Sequence, residues 1–227
     1  MVIGNGLLAR RFESYKNDDR FLVFASGVSN SKTKSPEAYR REVSLLLKSI
    51  EEHPGKIITY FSTCSIYDPD EVNSAYVQHK LRIEDIIRAN SPSHFILRVS
   101  NVAGKSSNPN TLLNYFYYHI RNGINFDLWM NACRNIIDIE DLFFIADHVL
   151  ENATPGGQSI NIASPVNHPV PAIVAAIESF LATRSNYIEV NKGTCFDIDL
   201  SAIQPILQKL PTKFDNNYLP GLLSRYF

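Results

Sequence analysis

Tyr76 and Lys80 are the residue pair whose types and spacing point most directly to chemistry. They stand four residues apart in a stretch that predicts a helix, where such side chains share one face and lie about 5 to 6 Å apart. A lysine ammonium at that distance favours the phenolate and lowers the pKa of a tyrosine from about 10. The hydroxyl could then exchange a proton near neutral pH. Chance supplies roughly 0.5 such pairs in a chain of this composition, so the surrounding residues must decide.

Hydroxyl side chains end a predicted strand just before that helix. Ser62, Thr63 and Ser65 follow the apolar run, and open parallel sheets bind ligands at the carboxyl ends of their strands. The alternative for Thr63 is a strand hydroxyl that bonds a neighbouring backbone group. Cys64 alternates with Thr63 and has no histidine beside it, so a buried structural thiol is favoured over a nucleophile.

A glycine pattern, Gly4-x-Gly6-x-x-Ala9, follows the first apolar run and opens a predicted helix. Glycines in this context let backbone N–H groups and the helix dipole approach a pyrophosphate. The alternative is a tight strand-to-helix turn without a ligand.

The elements that must position these residues alternate between strand and helix from the start of the chain, which predicts an α/β protein with a mainly parallel sheet. The predicted strands are Met1 to Ile3, Phe21 to Ala25, Lys56 to Phe61 and His94 to Val99. The predicted helices are Leu7 to Tyr15, Pro36 to Glu52 and Ser74 to Ala89, and Ser35 is expected to cap the second.

The alternation of predicted strands and helices becomes less regular after Val99. We expect an aromatic helix around Tyr115 to Ile120, helices Glu140 to Glu151 and Val170 to Leu181, and a strand Ser159 to Ile162. We therefore divide the chain into residues 1–104, which would bind a cofactor, and 105–227, which would complete the sheet and form a substrate-binding lobe.

The composition excludes several classes of protein. Hydrophobic residues are 44% and charged residues 20% of the 227 residues, which is ordinary globular usage. The net charge of −1 without a basic stripe argues against nucleic acid, and no apolar run approaches the roughly 18 residues that span a bilayer. Cys64, Cys133 and Cys195 have neither a disulfide nor a zinc spacing, which predicts free thiols in the cytoplasm. The six histidines form no metal motif, and His79 is interpreted as an exposed helical residue.

These segments in order resemble the extended short-chain dehydrogenase/reductase family of nucleotide-sugar epimerases, dehydratases and reductases. The resemblance rests on Thr63 four residues before Tyr67, on the Tyr76 and Lys80 pair, on Arg98-Val-Ser-Asn101-Val-Ala-Gly104, and on Arg134-Asn-Ile-Ile-Asp-Ile-Glu-Asp141-Leu. It covers nearly the whole chain and implies a Rossmann-like, doubly wound sheet that binds NAD or NADP.

The resemblance also implies roles. Tyr76, Lys80 and Thr63 would be catalytic, with Ser62 and Ser65 as alternatives to Thr63. The cofactor would lie against the glycine turn at Gly4, Gly6 and Ala9, against Ser26 and Gly27, and against Lys80. Ser65, Asn101 and Arg134 would bind the substrate, and a guanidinium suits diphosphate recognition. The alternative for Arg134 is a surface salt bridge.

The chain departs from the family in three places. Two strand-helix units that normally hold the adenosine are absent between the glycine turn and Phe21, so the first strand is expected at an exposed sheet edge, where a homodimer could form. If that strand keeps its family position, the first helix falls on an unusual face. Cys64-Ser65 replaces the Asp-Glu of dehydratases, and Glu42 stands where relatives often have Asn.

We therefore expect a cytoplasmic enzyme that moves hydride between a nicotinamide and a sugar carbon, as a 4-ketoreductase or 4-epimerase. A non-catalytic nucleotide or nucleotide-sugar sensor is the alternative. An isomerase that uses Tyr76 without redox chemistry also stays open.

Overall fold

A five-stranded parallel sheet forms the centre of the protein, as seen in a computed structural model that describes residues 1–33, 35–157 and 159–227. Its strand order is β1-β2-β3-β4-β8, with β1 at one edge. The strands are β1 Val2–Ile3, β2 Phe21–Phe24, β3 Ile57–Thr63, β4 His94–Val99, β5 Asn101–Ala103, β6 Phe126–Trp129, β7 Cys133–Asp138, β8 Ile160–Ile162, β9 Asn167–Pro169 and β10 Tyr187–Val190. This arrangement confirms the predicted Rossmann-like architecture.

Helices cover both faces of the sheet. The helices are α1 Leu7–Arg11, α2 Pro36–Glu52, α3 Ala75–Asn90, α4 Leu112–Arg121, α5 Ile139–Asn152, α6 Val170–Leu181, α7 Gln204–Leu207 and α8 Tyr218–Tyr226. The predicted cap of α2 is present, since the Ser35 Oγ accepts from the Ala38 N–H at 3.2 Å. Ser74 caps α3 in the same way through the Val77 N–H. These local signals fixed the starts of the two helices that flank the predicted site.

The first helix is shorter than predicted. It ends at Arg11, and Glu13–Asn17 continues as a 3-10 helix. Phe12 and Tyr15, three residues apart, are both buried in the core, and the three-residue turn of a 3-10 helix places them on one side. The prediction of one helix from Leu7 to Tyr15 is therefore wrong at its carboxyl end.

Two hydrophobic clusters lie on opposite faces of the sheet. On one face, α1 and α5 pack over Phe21 and Val23. On the other face, α2 and α3 pack over Leu22 and Phe24. The connections β1–α1–β2 and β2–α2–β3 advance in the same direction across the sheet, so helices on opposite faces give them opposite hands. This is the unusual placement of the first helix that the sequence indicated.

The second half of the chain adds smaller sheets. β5 pairs with β7 in parallel, β7 with β9 antiparallel, and β6 with β10 in parallel. A third cluster, between α4, α6 and α8, packs beneath them. None of the helices in the described part of the chain has the length and apolarity needed to cross a bilayer.

Cys133 and Cys195 form a disulfide, with their Cα atoms 4.7 Å apart. The prediction of three free thiols is therefore wrong for this pair. The reason lies in tertiary structure, because the segment after β10 returns alongside the residues that lead into β7, where the Asn131 N–H donates to the Lys192 carbonyl at 3.1 Å. The cytoplasmic prediction loses the support that it drew from cysteine usage.

Candidate active site

The carboxyl end of β3 carries the predicted hydroxyl groups. Thr63 is its last residue, and its Oγ1 accepts from the Ser65 N–H and donates to the Ser65 Oγ, both at 3.0 Å. Ser62 points to the other face, where its hydroxyl donates to the Glu84 carboxylate at 2.6 Å. Ser62 is therefore wrong as an alternative to Thr63, while Ser65 lies beside Thr63 on the rim of the sheet.

Cys64 is buried as expected, and its Sγ donates to the Arg98 carbonyl at 3.1 Å. Burial raises the pKa of this thiol to about 12. A thiol that stays protonated at neutral pH is a poor nucleophile, so the hydroxyls of this strand end carry the possible chemistry.

Tyr76 lies in the first turn of α3 and faces the end of β3. Burial raises the pKa of Tyr76 to about 12, a hydrogen bond with Thr63 acts to lower it, and the negative charge of Glu42 acts to raise it. Thr63 and Tyr76 are thus brought together, as the sequence indicated. The expected acidification of the phenol is wrong, because burial raises its pKa.

Lys80 lies one turn further along α3, and its Nζ is 5.9 Å from the centre of the Tyr76 ring. The ammonium bonds elsewhere, to the Tyr60 hydroxyl at 2.9 Å and to the Glu42 Oε1 at 3.4 Å. Burial lowers the pKa of Lys80, and the charge of Glu42 opposes this. His79 also binds Glu42, at 3.0 Å, and is buried, so its interpretation as an exposed residue is wrong.

The glycine turn follows β1 at the edge of the sheet. Gly4 has a φ of +131°, and a Cβ there would lie 2.5 Å from the Ala25 carbonyl oxygen, so both strand packing and backbone conformation require glycine. Gly6 is exposed with open space around it, and Ala9 is buried against the core. The turn and its neighbourhood therefore leave room for a ligand above Gly6, although α1 extends over only five residues.

Ser26 and Gly27 follow β2 and lie between the glycine turn and Thr63 in the strand order. A Cβ on Gly27 would lie 2.7 Å from the Lys80 Nζ and 2.9 Å from the Glu42 Oε1. The close packing of residue 27 over the buried Lys80–Glu42 ion pair is therefore sufficient to explain why this residue is glycine. The Ser26 carbonyl accepts from the Arg41 guanidinium at 3.1 Å, which places an exposed cation beside the predicted cofactor cleft.

Arg134 and Asn101 lie on the strands of the smaller sheet. The Arg134 Nη1 donates to the Cys133 carbonyl at 2.8 Å and pairs with the Asp68 Oδ2 at 3.4 Å. The Asn101 amide donates to the Asn135 carbonyl at 2.8 Å, which ties β5 to β7. The salt bridge given as the alternative for Arg134 is therefore present, but it is partly buried, and its partner lies in the loop after β3.

Sequence reasoning missed Asp68 and Arg41. Asp68 stands directly after Tyr67, where the family usually has glycine, and its side chain is only 4% exposed. That replacement was a readable signal, because an acid at the end of a buried strand needs a cationic partner. Arg41 carried no such signal, since its contact with Ser26 depends on how α2 packs on the sheet.

The glycine turn after β1, with open space at Gly6, fits the pyrophosphate part of a dinucleotide, and the ends of β2 and β3 lie where its nicotinamide part would continue. The adenosine part would extend past β1, and no strand of the described chain pairs with the outer side of β1. The fit is therefore good for one half of the cofactor, and the other half lacks the protein surface that normally surrounds it.

The comparisons with known proteins agree with this architecture. Residues 21–163, more than half of the chain, match the model of the NAD dependent epimerase/dehydratase family, and the chain belongs to that family. No curated protein matches the chain.

Solved structures share its fold. A dTDP-glucose 4,6-dehydratase from Bacillus anthracis str. Ames, solved in complex with NAD, has a TM-score of 0.71 and 17% identity over 96% of this chain and 76% of its own. A UDP-glucuronic acid 4-epimerase from Bacillus cereus, in complex with UDP-glucuronic acid and NAD, has a TM-score of 0.73 and 16% identity over 95% and 76%. RMD from Pseudomonas aeruginosa, complexed with NADPH, has a TM-score of 0.72 and 12% identity over 99% and 95%.

Proposed function

We propose that this protein is an NAD- or NADP-dependent oxidoreductase or epimerase that acts on a nucleotide-sugar, of the 4-ketoreductase or 4-epimerase type. Membership of the NAD dependent epimerase/dehydratase family supports the reaction class. Related folds that were solved with NAD, NADPH or UDP-glucuronic acid support the ligand class. The cytoplasm as the compartment, homodimer formation at the β1 edge and the division at residue 104 belong to the same proposal.

The observation that carries the proposal is the meeting of Thr63 and Tyr76 at the carboxyl end of β3. A strand-end hydroxyl and a phenol that lie close together at this rim offer two groups to one substrate oxygen. The same rim carries the glycine turn after β1 and the Ser26–Gly27 turn after β2. A ligand that extends along this rim would place its reactive end beside the phenol.

A bound nicotinamide would supply the site of hydride transfer. Tyr76 would exchange the proton of the sugar hydroxyl, and Thr63 would hydrogen-bond the same oxygen and stabilise charge that develops on it. Gly4 and Gly6 would admit the pyrophosphate to the backbone, and Lys80 would contact the nicotinamide ribose once released from Glu42. Arg134 would bind the substrate diphosphate, with Asn101 and Ser65 beside it.

The two residues after Thr63 favour hydride transfer over dehydration. Family dehydratases carry Asp and Glu there, whereas this chain carries Cys64 and Ser65. Elimination of water needs an acid and a base at the substrate, and the buried Cys64 thiol supplies neither at neutral pH.

A second candidate, a nucleotide or nucleotide-sugar sensor without catalysis, is favoured by the state of Lys80. Its ammonium is buried against Glu42 and Tyr60, and burial raises the pKa of Tyr76. The open β1 edge also removes the usual surface for adenosine. Binding without turnover would follow from both features.

One titration separates these candidates. Purified wild type and Tyr76→Phe are titrated with NADH and NADPH by fluorescence, with and without UDP- and dTDP-sugars, and turnover is followed. The enzyme proposal expects Tyr76→Phe to lose at least about 100-fold in turnover while cofactor affinity stays unchanged, as for loss of a general acid-base group. Tyr187→Phe, at an exposed position on β10, is the control and should behave as wild type. Ligand binding with no turnover in the wild type would select the sensor.

A further inference from the structure

Arg41 lies on α2, and its guanidinium reaches the carboxyl end of β2. Its Nη2 donates to the Ser26 carbonyl at 3.1 Å, and its Nη1 donates to the Ser26 Oγ at 3.5 Å. The residue before Ser26 joins the edge strand, since the Ala25 N–H donates to the Ile3 carbonyl at 2.8 Å. The guanidinium is therefore held beside the ends of β1 and β2, where the adenosine half of a dinucleotide would lie.

The guanidinium of Arg41 keeps donors for a ligand. It has five N–H groups, its contacts with Ser26 use two of them, and the residue is exposed. Glu37 precedes Arg41 by one helical turn, but its carboxylate accepts from Arg40 at 2.9 Å and from the Ser35 hydroxyl at 3.0 Å. Across residues 1–33, 35–157 and 159–227, no carboxylate forms a salt bridge with Arg41. The remaining N–H groups can therefore bind an anion.

The segments that form this end of the cleft carry positive charge alone. Residues 1–12 and 25–36 contain two arginines and two lysines and neither Asp nor Glu. One of these arginines, Arg10, donates to the Asn5 carbonyl at 3.3 Å, within the glycine turn itself. Dinucleotide sites of this architecture hold a ribose 2′-hydroxyl with an acid and a ribose 2′-phosphate with a basic residue. The local charge therefore favours the phosphate over the hydroxyl.

We infer that Arg41 is a specificity-determining residue, which selects NADP over NAD by binding the phosphate on the adenosine ribose. The inference rests on the proposed function, because it requires a dinucleotide that extends from Tyr76 along the rim to the β1 edge. A phosphate monoester carries about −1.5 to −2 charges at pH 7, and a guanidinium binds it through two parallel hydrogen bonds. Because the strand-helix units that normally hold adenosine are absent, this contact would supply much of the affinity at that end of the cofactor.

The test measures the affinities for NADPH and NADH separately by fluorescence titration, at about 0.15 M salt because charged contacts are screened. In the wild type we expect NADPH to bind at least about 10-fold more tightly than NADH. Arg41→Gln should lose roughly 10-fold in affinity for NADPH and keep its affinity for NADH within about twofold. Arg40→Gln removes the same charge from the neighbouring exposed position, so it is the matched control and should keep the preference of the wild type.

A second ligand pair examines the adenosine end alone. Calorimetric titration with 2′,5′-ADP and with 5′-AMP compares two ligands that differ by the ribose phosphate and contain no nicotinamide. We expect the wild type and Arg40→Gln to prefer 2′,5′-ADP, and Arg41→Gln to lose most of that preference. This readout requires neither a substrate nor turnover.

Two results would overturn the inference. One is a wild type that binds NADH at least as tightly as NADPH, and if turnover is seen with NADH the proposed function survives without it. The other is an Arg41→Gln variant that keeps the preference for NADPH or weakens both coenzymes equally, because Arg41 would then not contact the ribose phosphate. Selective loss of NADPH and 2′,5′-ADP binding in Arg41→Gln, in a protein without turnover, would uphold the inference while the enzyme proposal fails. Binding of neither coenzyme would contradict both.

Discussion

Asp68→Asn is expected to strengthen the binding of UDP, because it frees Arg134 for a diphosphate. In the structure the Arg134 guanidinium is already paired with the Asp68 carboxylate at 3.4 Å, and the two side chains are 18% and 4% exposed. Burial raises the pKa of Asp68 overall, although a backbone hydrogen bond from Asp70 and the charge of Arg134 act to lower it. An incoming diphosphate must displace or tolerate this carboxylate.

The size of the effect follows from Coulomb's law. A phosphate that accepts from Arg134 would lie roughly 6 Å from the Asp68 carboxylate, and two like charges at that distance repel by about 0.7 to 3 kcal/mol for effective dielectric constants between about 80 and 20. Removing the charge should therefore improve the dissociation constant by roughly 3- to 100-fold. The amide oxygen of the substituted side chain would still accept the Asp70 N–H, which the native carboxylate binds at 3.0 Å, so the loop should keep its shape.

The assay is calorimetric titration of UDP and dTDP into the wild type and Asp68→Asn at fixed, near-physiological salt. Asp70→Asn, an exposed acid in the same loop, is the control for a general change in charge. The reasoning fails if Asp68→Asn binds UDP no better than the wild type. It also fails if the gain persists in Asp68→Asn with Arg134→Met, because the released guanidinium would then have no part in it.

Two further predictions concern stability. Cys195→Ser should lower the free energy of unfolding by up to roughly 4 kcal/mol, because the disulfide closes a loop with a sequence separation of 62. A reducing agent should lower the melting temperature of the wild type but not that of the variant. An unchanged melting temperature of the wild type in reductant would contradict the pairing. Glu84→Gln should cost about 3 kcal/mol at pH 7, because it leaves Arg98 without its partner at 2.7 Å. Burial acts to raise the pKa of Glu84, but hydrogen bonds from Arg98 and Ser62 lower it overall from 4.5, so this contribution is present above pH 4.5 and is lost as pH falls further. Urea unfolding at pH 7 and pH 3 should show the difference between the two proteins shrink at the lower pH, and a constant difference would argue against an ionised, paired Glu84.

The local chemistry of the chain determined the elements that flank the site. Ser35 and Pro36 set the start of α2, and Ser74 set the start of α3, because a helix cap acts over only three residues. The predicted helix Val170–Leu181 has the bounds found in the structure. The meeting of Thr63 with Tyr76 could also be predicted, since a strand end and the first turn of the next helix lie on one rim of a parallel sheet.

Only the tertiary structure decided what the charged groups of the site bind. Lys80 pairs with Glu42, which is 38 residues away in the sequence. Arg134, on β7, pairs with Asp68, in the loop after β3. Cys133 and Cys195 likewise become neighbours through the return of the chain after β10. Sequence spacing places side chains along one element, but the partner of a buried charge is set by whichever element packs against it. The residue types of this site could therefore be read from the sequence, whereas the protonation of Tyr76 and the availability of Lys80 and Arg134 depend on contacts between distant segments.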